Sequence, residues 1–201
     1  MDLYFFKMKP SQVTSISRLL AFLCFTSEVS YLLWSFFYAP WDPRRSYPFQ
    51  LCDFLMIGAV WYLVFRSQIV YEFLFFWGPP AFFLSLVSPV FALQGSLFYE
   101  INFYLSHFLI LVVPLWGFFI LGDCPRKKAP VQVFLYSHAL IPIFYGINQY
   151  LGANYMFVME LPPVTPFGKI VFPYTIFCHQ LGALVTFWGL GSLIRRVKPL
   201  V

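Results

Sequence analysis

The sequence predicts an all-α protein, a polytopic membrane helix bundle of about six transmembrane helices with the N- and C-termini in the cytoplasm. Three observations carry this expectation. Hydrophobic residues make up 60% of the 201 residues and charged residues only 10%, against about 25% charged in a soluble domain. Six apolar runs approach the roughly 20 residues that a helix needs to cross the hydrocarbon core; they fall at about 16–38, 49–66, 69–92, 101–121, 130–151 and 170–194. The basic residues, finally, are unevenly placed. With six spans, one side receives Lys7, Lys9, Arg18, Arg66, Arg126, Lys127, Lys128, Arg195, Arg196 and Lys198, and the other only Arg44, Arg45 and Lys169. That bias puts both termini inside. Six spans fill the chain, so residues 1–201 form a single integral membrane domain with no separate soluble part. The net charge of +5 reads as topology and contact with anionic lipid, and nucleic acid is not an expected partner.

Span 1 is too long for the apolar core of a cleavable signal. It ends in Trp34, Phe36, Phe37 and Tyr38, an aromatic border of the kind found at membrane interfaces. Glu28 lies inside it, about 15 Å below the outer end at 1.5 Å per residue. A carboxylate at that depth has to be protonated, paired, or turned to a polar cavity. The short loop 39–46 leads to Pro48, which suits the first turn of a helix, so span 2 is expected to start there with Gln50, Cys52 and Asp53 in its opening turns. The positive end of that helix favours ionised Asp53 and the Cys52 thiolate.

Pro79 and Pro80, followed by Ser88-Pro89, predict a kinked span 3; Arg66 and Glu72 near its inner end are expected to pair. Span 4 places Asn102 and Ser106-His107 near the outer face, His107 about 9 Å down and Cys52 on span 2 about 5 Å down. The two depths match within a side chain's reach. Span 5 carries His138 towards the inside and Asn148 near its outer end. Residues 152–169, with Asn154, Tyr155 and three prolines, are too broken for a span and read as a lid or re-entrant segment. Cys178 and His179 on span 6 point about 100° apart around the helix, which makes them a weaker pair than Cys52 and His107. The four cysteines show neither disulfide nor zinc spacing. No metal site and no cofactor are expected.

Three blocks in order, Tyr47-Pro48-Phe49-Gln50-Leu51-Cys52-Asp53, Ser106-His107, and Asn148 followed by Gly152-Ala153-Asn154-Tyr155-Met156-Phe157, resemble the YwaF-like, or transmembrane protein 164, family of multi-pass membrane proteins. The resemblance covers roughly residues 15–195. It implies a lipid acyltransferase with an essential cysteine and histidine, which on this chain are Cys52 and His107. It further implies phospholipid and lysophospholipid substrates, with a lyso-ether phospholipid as an acceptor, and an endoplasmic reticulum membrane in a eukaryote or the plasma membrane in a bacterium. The chain departs from the family in span 3, at Gly78-Pro79-Pro80-Ala81, and after the Asn-Tyr block, at Leu161-Pro162-Pro163.

In the expected chemistry His107 takes the proton of Cys52 and the thiolate attacks an ester carbonyl to give an acyl-thioester. Gln50, Asn102, Asn148 and Asn154 are the candidate oxyanion donors, with Asp53 and Tyr155 as further substrate contacts. Asp53 either orients His107 or caps its helix; capping fits better because neighbours 52 and 53 face different directions. Two rivals belong to other classes. A proton- or ion-coupled transporter or channel would use Glu28, Glu72, His138 and His179, and a non-catalytic lipid-binding membrane protein would use Cys52 merely as a small apolar filler.

Overall fold

The computed structural model describes residues 8–87, 96–161 and 170–194. It contains six α-helices: α1 (Pro10–Phe37), α2 (Leu51–Phe65), α3 (Gln68–Val87), α4 (Leu97–Phe119), α5 (Ala129–Leu151) and α6 (Tyr174–Ile194), with a short 3-10 turn (Tyr155–Phe157) between the last two. Helices α1 to α4 pack against one another, and α5 and α6 pair and lean on α3. Successive helices alternate in direction, so the α2–α3 and α4–α5 connections meet at one end of the bundle, called here the basic end. The α1–α2 loop and the 3-10 turn meet at the opposite end.

The helix boundaries follow local chemistry. Pro10 opens α1, where its missing N–H costs nothing. At α2 the backbone N–H of Gln50 donates to Asp53 Oδ2 at 2.8 Å, the returning half of a capping box, which confirms Asp53 as a cap. Helix α4 starts on Ser96, whose Oγ accepts from the Tyr99 N–H at 3.4 Å. Helix α5 closes on Gly152 at φ 61°, a left-handed position that glycine occupies without a Cβ penalty.

Among the described residues four helices, α1, α3, α4 and α5, are long and apolar enough to cross a membrane, and the six helices together make the helical membrane bundle that the sequence predicts. Helix α2 has 15 residues, about 22 Å at 1.5 Å per residue. It starts at Leu51 and not at Pro48, because residues 46–48 bend ahead of the Gln50 cap. Large side chains such as Phe22, Phe25, Trp61, Phe83, Phe108 and Trp188 point outward, as expected of a bundle solvated by lipid.

The core runs between α2, α3 and α4 through Tyr62, Tyr71, Leu74, Phe76, Ile110 and Val113, all at most 1% exposed. Helix α3 continues through Pro79 and Pro80 as a single element. Beside them Gly78 lies so close to α4 that a Cβ there would overlap the Ile110 carbonyl oxygen. The Ser88-Pro89 step and Pro162, Pro163 and Pro166 lie outside the described residues.

At the basic end the α4–α5 loop is pinned by two ion pairs. Arg66 reaches Asp123 at 2.7 Å, and Asp123 also takes the Tyr62 hydroxyl on its carboxylate and that of Tyr71 on its carbonyl. The Glu72 carboxylate accepts from the Arg126 backbone N–H at 2.9 Å, from Nε at 2.8 Å and from Nη2 at 2.7 Å. The expected Arg66–Glu72 pair is thus replaced by two pairs with the loop. Each of the two charges turns to an opposite charge that the folded loop brings within hydrogen-bond reach.

Candidate functional site

Three helices present short polar stripes to a common space near the end opposite the basic one. On α1, Glu28, Tyr31 and Ser35, continued by the C-cap Tyr38, recur every three or four residues and share a face. On α2, Cys52 and Asp53 lie four and three residues before Met56, and on α4 the pairs Asn102/Ser106 and Phe103/His107 are each four residues apart. These side chains line a cavity of about 490 Å³, with Arg45, Ser46 and Gln50 contributed by the α1–α2 connection. The volume lies within the range of small-molecule sites, about 300–1,000 Å³.

Of the residues singled out in the sequence, Cys52, His107, Gln50, Asp53, Asn102 and Glu28 all line this cavity. His107 is 7% exposed, and its Nδ1 lies 2.7 Å from the Phe103 carbonyl oxygen one turn earlier. A carbonyl can only accept, so Nδ1 carries the proton and Nε2 keeps its lone pair. The Cys52 thiol contacts its neighbour, with Sγ 3.8 Å from Asp53 Oδ1. Adjacent helical residues were expected to face apart, yet Asp53 has two oxygens and divides them. Oδ2 caps the helix while Oδ1 meets the thiol.

Two amide groups stand ready as donors on the wall. Ser27 Oγ donates to Asn102 Oδ1 at 2.8 Å, leaving the Asn102 NH2 as a donor. Gln50 Oε1 accepts the Met156 N–H at 3.0 Å, leaving the Gln50 NH2. The Glu28 Oε1 atom is buried with no hydrogen-bond partner among the described residues.

The other candidates are placed elsewhere. Asn148, 1% exposed, clamps the peptide groups of Tyr155: its Oδ1 accepts the Tyr155 N–H at 2.7 Å and its Nδ2 donates to the Tyr155 carbonyl at 3.0 Å. The Asn154 amide is occupied by the backbone of Met159 and Glu160. The buried Tyr155 hydroxyl donates to the Pro43 carbonyl at 2.7 Å and accepts the Tyr47 N–H at 3.1 Å. Burial pushes this phenol above its ordinary pKa, so it stays a neutral donor. These three residues brace the connection that carries Gln50 to Cys52, and none lines the cavity. Of the segment expected as a lid, the described residues 152–161 hold a 3-10 turn and the Glu160 side of an isolated bridge to Val171, and Tyr155 ties them to the α1–α2 loop. His179 lines a separate, smaller cavity.

Sequence reading missed Tyr31, Tyr99 and Arg45 on the cavity wall. The signal for Tyr31 was present in the Glu28–Tyr31–Ser35 spacing. Nothing in the sequence marks Arg45 or Tyr99, because loop closure and the α1–α4 crossing place them. The Tyr31 and Tyr99 rings meet at that crossing, tilted by 59° with centroids 5.7 Å apart.

Comparison with known proteins gives a family but no activity. An uncharacterized protein of Treponema pallidum (strain Nichols) is 26% identical over 122 residues, 59% of this chain and 50% of that protein, so the chain spans about half the length of the curated relative. No solved structure matches. The model of the TMEM164 family matches residues 3–191, and the chain, a multi-pass membrane protein by its apolar helices, belongs to that family.

Proposed function

We propose that the protein is a membrane-embedded acyltransferase that moves a fatty acyl chain between phospholipids through a thioester on Cys52. The observation that carries this reading is the shared cavity. A thiol, a histidine with a free Nε2 and two amide donors line one space large enough for an ester group and its glycerol backbone.

His107 Nε2 takes the Cys52 proton, and the thiolate attacks the ester carbonyl carbon of a donor phospholipid. The carbonyl oxygen becomes an oxyanion facing the amide groups of Asn102 and Gln50. The carbon–oxygen ester bond then breaks, and the imidazolium returns its proton to the leaving oxygen. A lysophospholipid departs and the acyl chain remains on sulfur. In the second half-reaction His107 removes the proton of an acceptor hydroxyl, which attacks the thioester carbonyl. The carbon–sulfur bond breaks and the thiolate recovers the proton from His107. Contact with Asp53 Oδ1 orients the thiol, and a lyso-ether phospholipid is the acceptor that the family resemblance suggests. The charge bias favours the non-cytoplasmic side for this chemistry, and the membrane proposed is the endoplasmic reticulum in a eukaryote or the plasma membrane in a bacterium.

Proteoliposomes containing a labelled donor phospholipid and a lysophospholipid acceptor provide the test. Label transfer is expected in the native protein and is lost in Cys52→Ala and His107→Ala variants that retain their helical content. Transfer at the native rate by Cys52→Ala would remove the nucleophile. A transport reading draws support from one observation, the unpartnered Glu28 oxygen in the cavity. Ion flux abolished by Glu28→Gln, with lipid composition unchanged, would select it.

A further inference from the structure

A second cavity of about 100 Å³ lies on the other side of the α2 N-terminus, between α3, α5, α6 and the 3-10 turn. Its walls are apolar except for His138, His179, Ser137 and the Trp77 indole. The hydrogen bonds around it leave an unusual balance. Trp77 Nε1 donates to Ser137 Oγ at 2.8 Å, and Ser137 Oγ donates to the Val133 carbonyl at 2.7 Å. His138 Nδ1 lies 2.7 Å from the Phe134 carbonyl, and His179 Nε2 lies 3.1 Å from the Phe157 carbonyl. Both nitrogens must be donors, since a carbonyl can only accept. Every N–H and O–H of these four side chains is therefore committed. What remains is the lone pair of His138 Nε2, buried and without a partner, and the lone pair of His179 Nδ1.

A space that offers two imidazole lone pairs and no donor suits a Lewis acid, which accepts both lone pairs at once. The outer bonds agree, because metal-ligating histidines characteristically donate their second ring N–H to a carbonyl or carboxylate. The same wall carries Met156, whose thioether is a soft ligand. Its backbone is held by Gln50 at φ 56°, next to Phe157 at φ 52°. Two successive non-glycine residues in the left-handed region store strain of the kind that clusters at functional sites.

We propose that His138 Nε2, His179 Nδ1 and the Met156 thioether form a binding site for a soft monovalent metal cation, Cu(I). The ligand set decides the metal. It holds no carboxylate or thiolate to offset a divalent charge in an apolar cavity, and thioether with imidazole selects copper in its reduced state. The site is independent of the acyl-transfer reading, since none of its three ligands lines the Cys52 cavity.

The test is an anaerobic titration of the full-length protein in detergent with Cu(I), against a chromogenic Cu(I) chelator, after blocking accessible thiols. One equivalent is expected to bind, with X-ray absorption showing two nitrogen ligands and one sulfur ligand. His138→Leu and His179→Leu should weaken binding by more than about tenfold, the lower limit for disturbing even an outer-sphere partner, and Met156→Leu should remove the sulfur signal. His107→Ala, in the other cavity, should bind as the native protein does. Native affinity in the His138→Leu/His179→Leu double variant would overturn the proposal. So would an absorption spectrum of the native protein without two nitrogen ligands, which stands even where a variant fails to fold. Tighter binding of Zn(II) than of Cu(I) would overturn the assignment of the metal.

Discussion

Replacing Asn148 with alanine removes the clamp on the segment that braces the cavity entrance. The side chain is 1% exposed and Tyr155 is fully buried. Two hydrogen bonds disappear together, Tyr155 N–H to Oδ1 at 2.7 Å and Nδ2 to the Tyr155 carbonyl at 3.0 Å. The peptide N–H and C=O left behind are buried, and each orphaned group costs about 1–3 kcal/mol. The expected destabilisation is therefore about 2–6 kcal/mol. A lower limit comes from polar contacts within membranes, where the unfolded state also finds partners and a hydrogen bond averages about 0.6 kcal/mol. Equilibrium unfolding in mixed micelles measures the total, and hydrogen exchange at Tyr155 and Met156 reports the local opening. Exchange there should accelerate before the core of α3 and α4 opens. A loss below about 1 kcal/mol, with unchanged exchange at Tyr155, would refute the view that Asn148 serves the fold.

Other consequences follow from the same packing. Gly78→Ala drives a Cβ into the Ile110 carbonyl of α4, so the two helices must separate; a loss of about 1–3 kcal/mol is expected in the same unfolding assay. Arg126→Ala takes the counter-ion from the Glu72 carboxylate, itself 1% exposed, leaving it the backbone N–H of residue 126 and the Gln68 amide, and should lower the melting temperature. Adding Glu72→Gln to that variant should recover part of the loss, since a neutral amide is cheaper to bury than an unpaired charge. Asn102→Ala should reduce the turnover of acyl transfer by about 10²–10³, the range for loss of one oxyanion donor, with little change in helix content by circular dichroism. Equal turnover would leave Gln50 as the remaining amide donor.

Periodicity made the helical bundle legible. The apolar runs predicted all six helices, because lipid demands internally bonded backbone and apolar faces whatever the neighbours. Helix ends were harder to read. Pro48 satisfied the rule for a first helical turn, but the Gln50–Asp53 cap set the start three residues later. The depth count brought Cys52 and His107 to one level, and the stripes on α2 and α4 explain why they reach one cavity. Depth alone could not separate Asn102 from Asn148, which both sit near the same end. That distinction depends on which way each helix is rotated, and rotation is set by tertiary contacts such as the Gly78–Ile110 approach. For the same reason the two ion pairs at the basic end were out of reach, because sequence neighbours such as Arg66 and Glu72 conceal partners more than fifty residues away.

The central claim is that the Cys52 sulfur carries an acyl group during turnover. The direct measurement is intact mass of the purified protein after brief incubation with a donor phospholipid and no acceptor, followed by peptide mapping. The account predicts a mass increment of one acyl chain located on Cys52, removed by neutral hydroxylamine, discharged when lysophospholipid is added, and absent in Cys52→Ser under the same conditions. Lipid transfer that proceeds while Cys52 remains unmodified, or an acyl group confined to Cys124, the exposed cysteine of the α4–α5 loop, would contradict it.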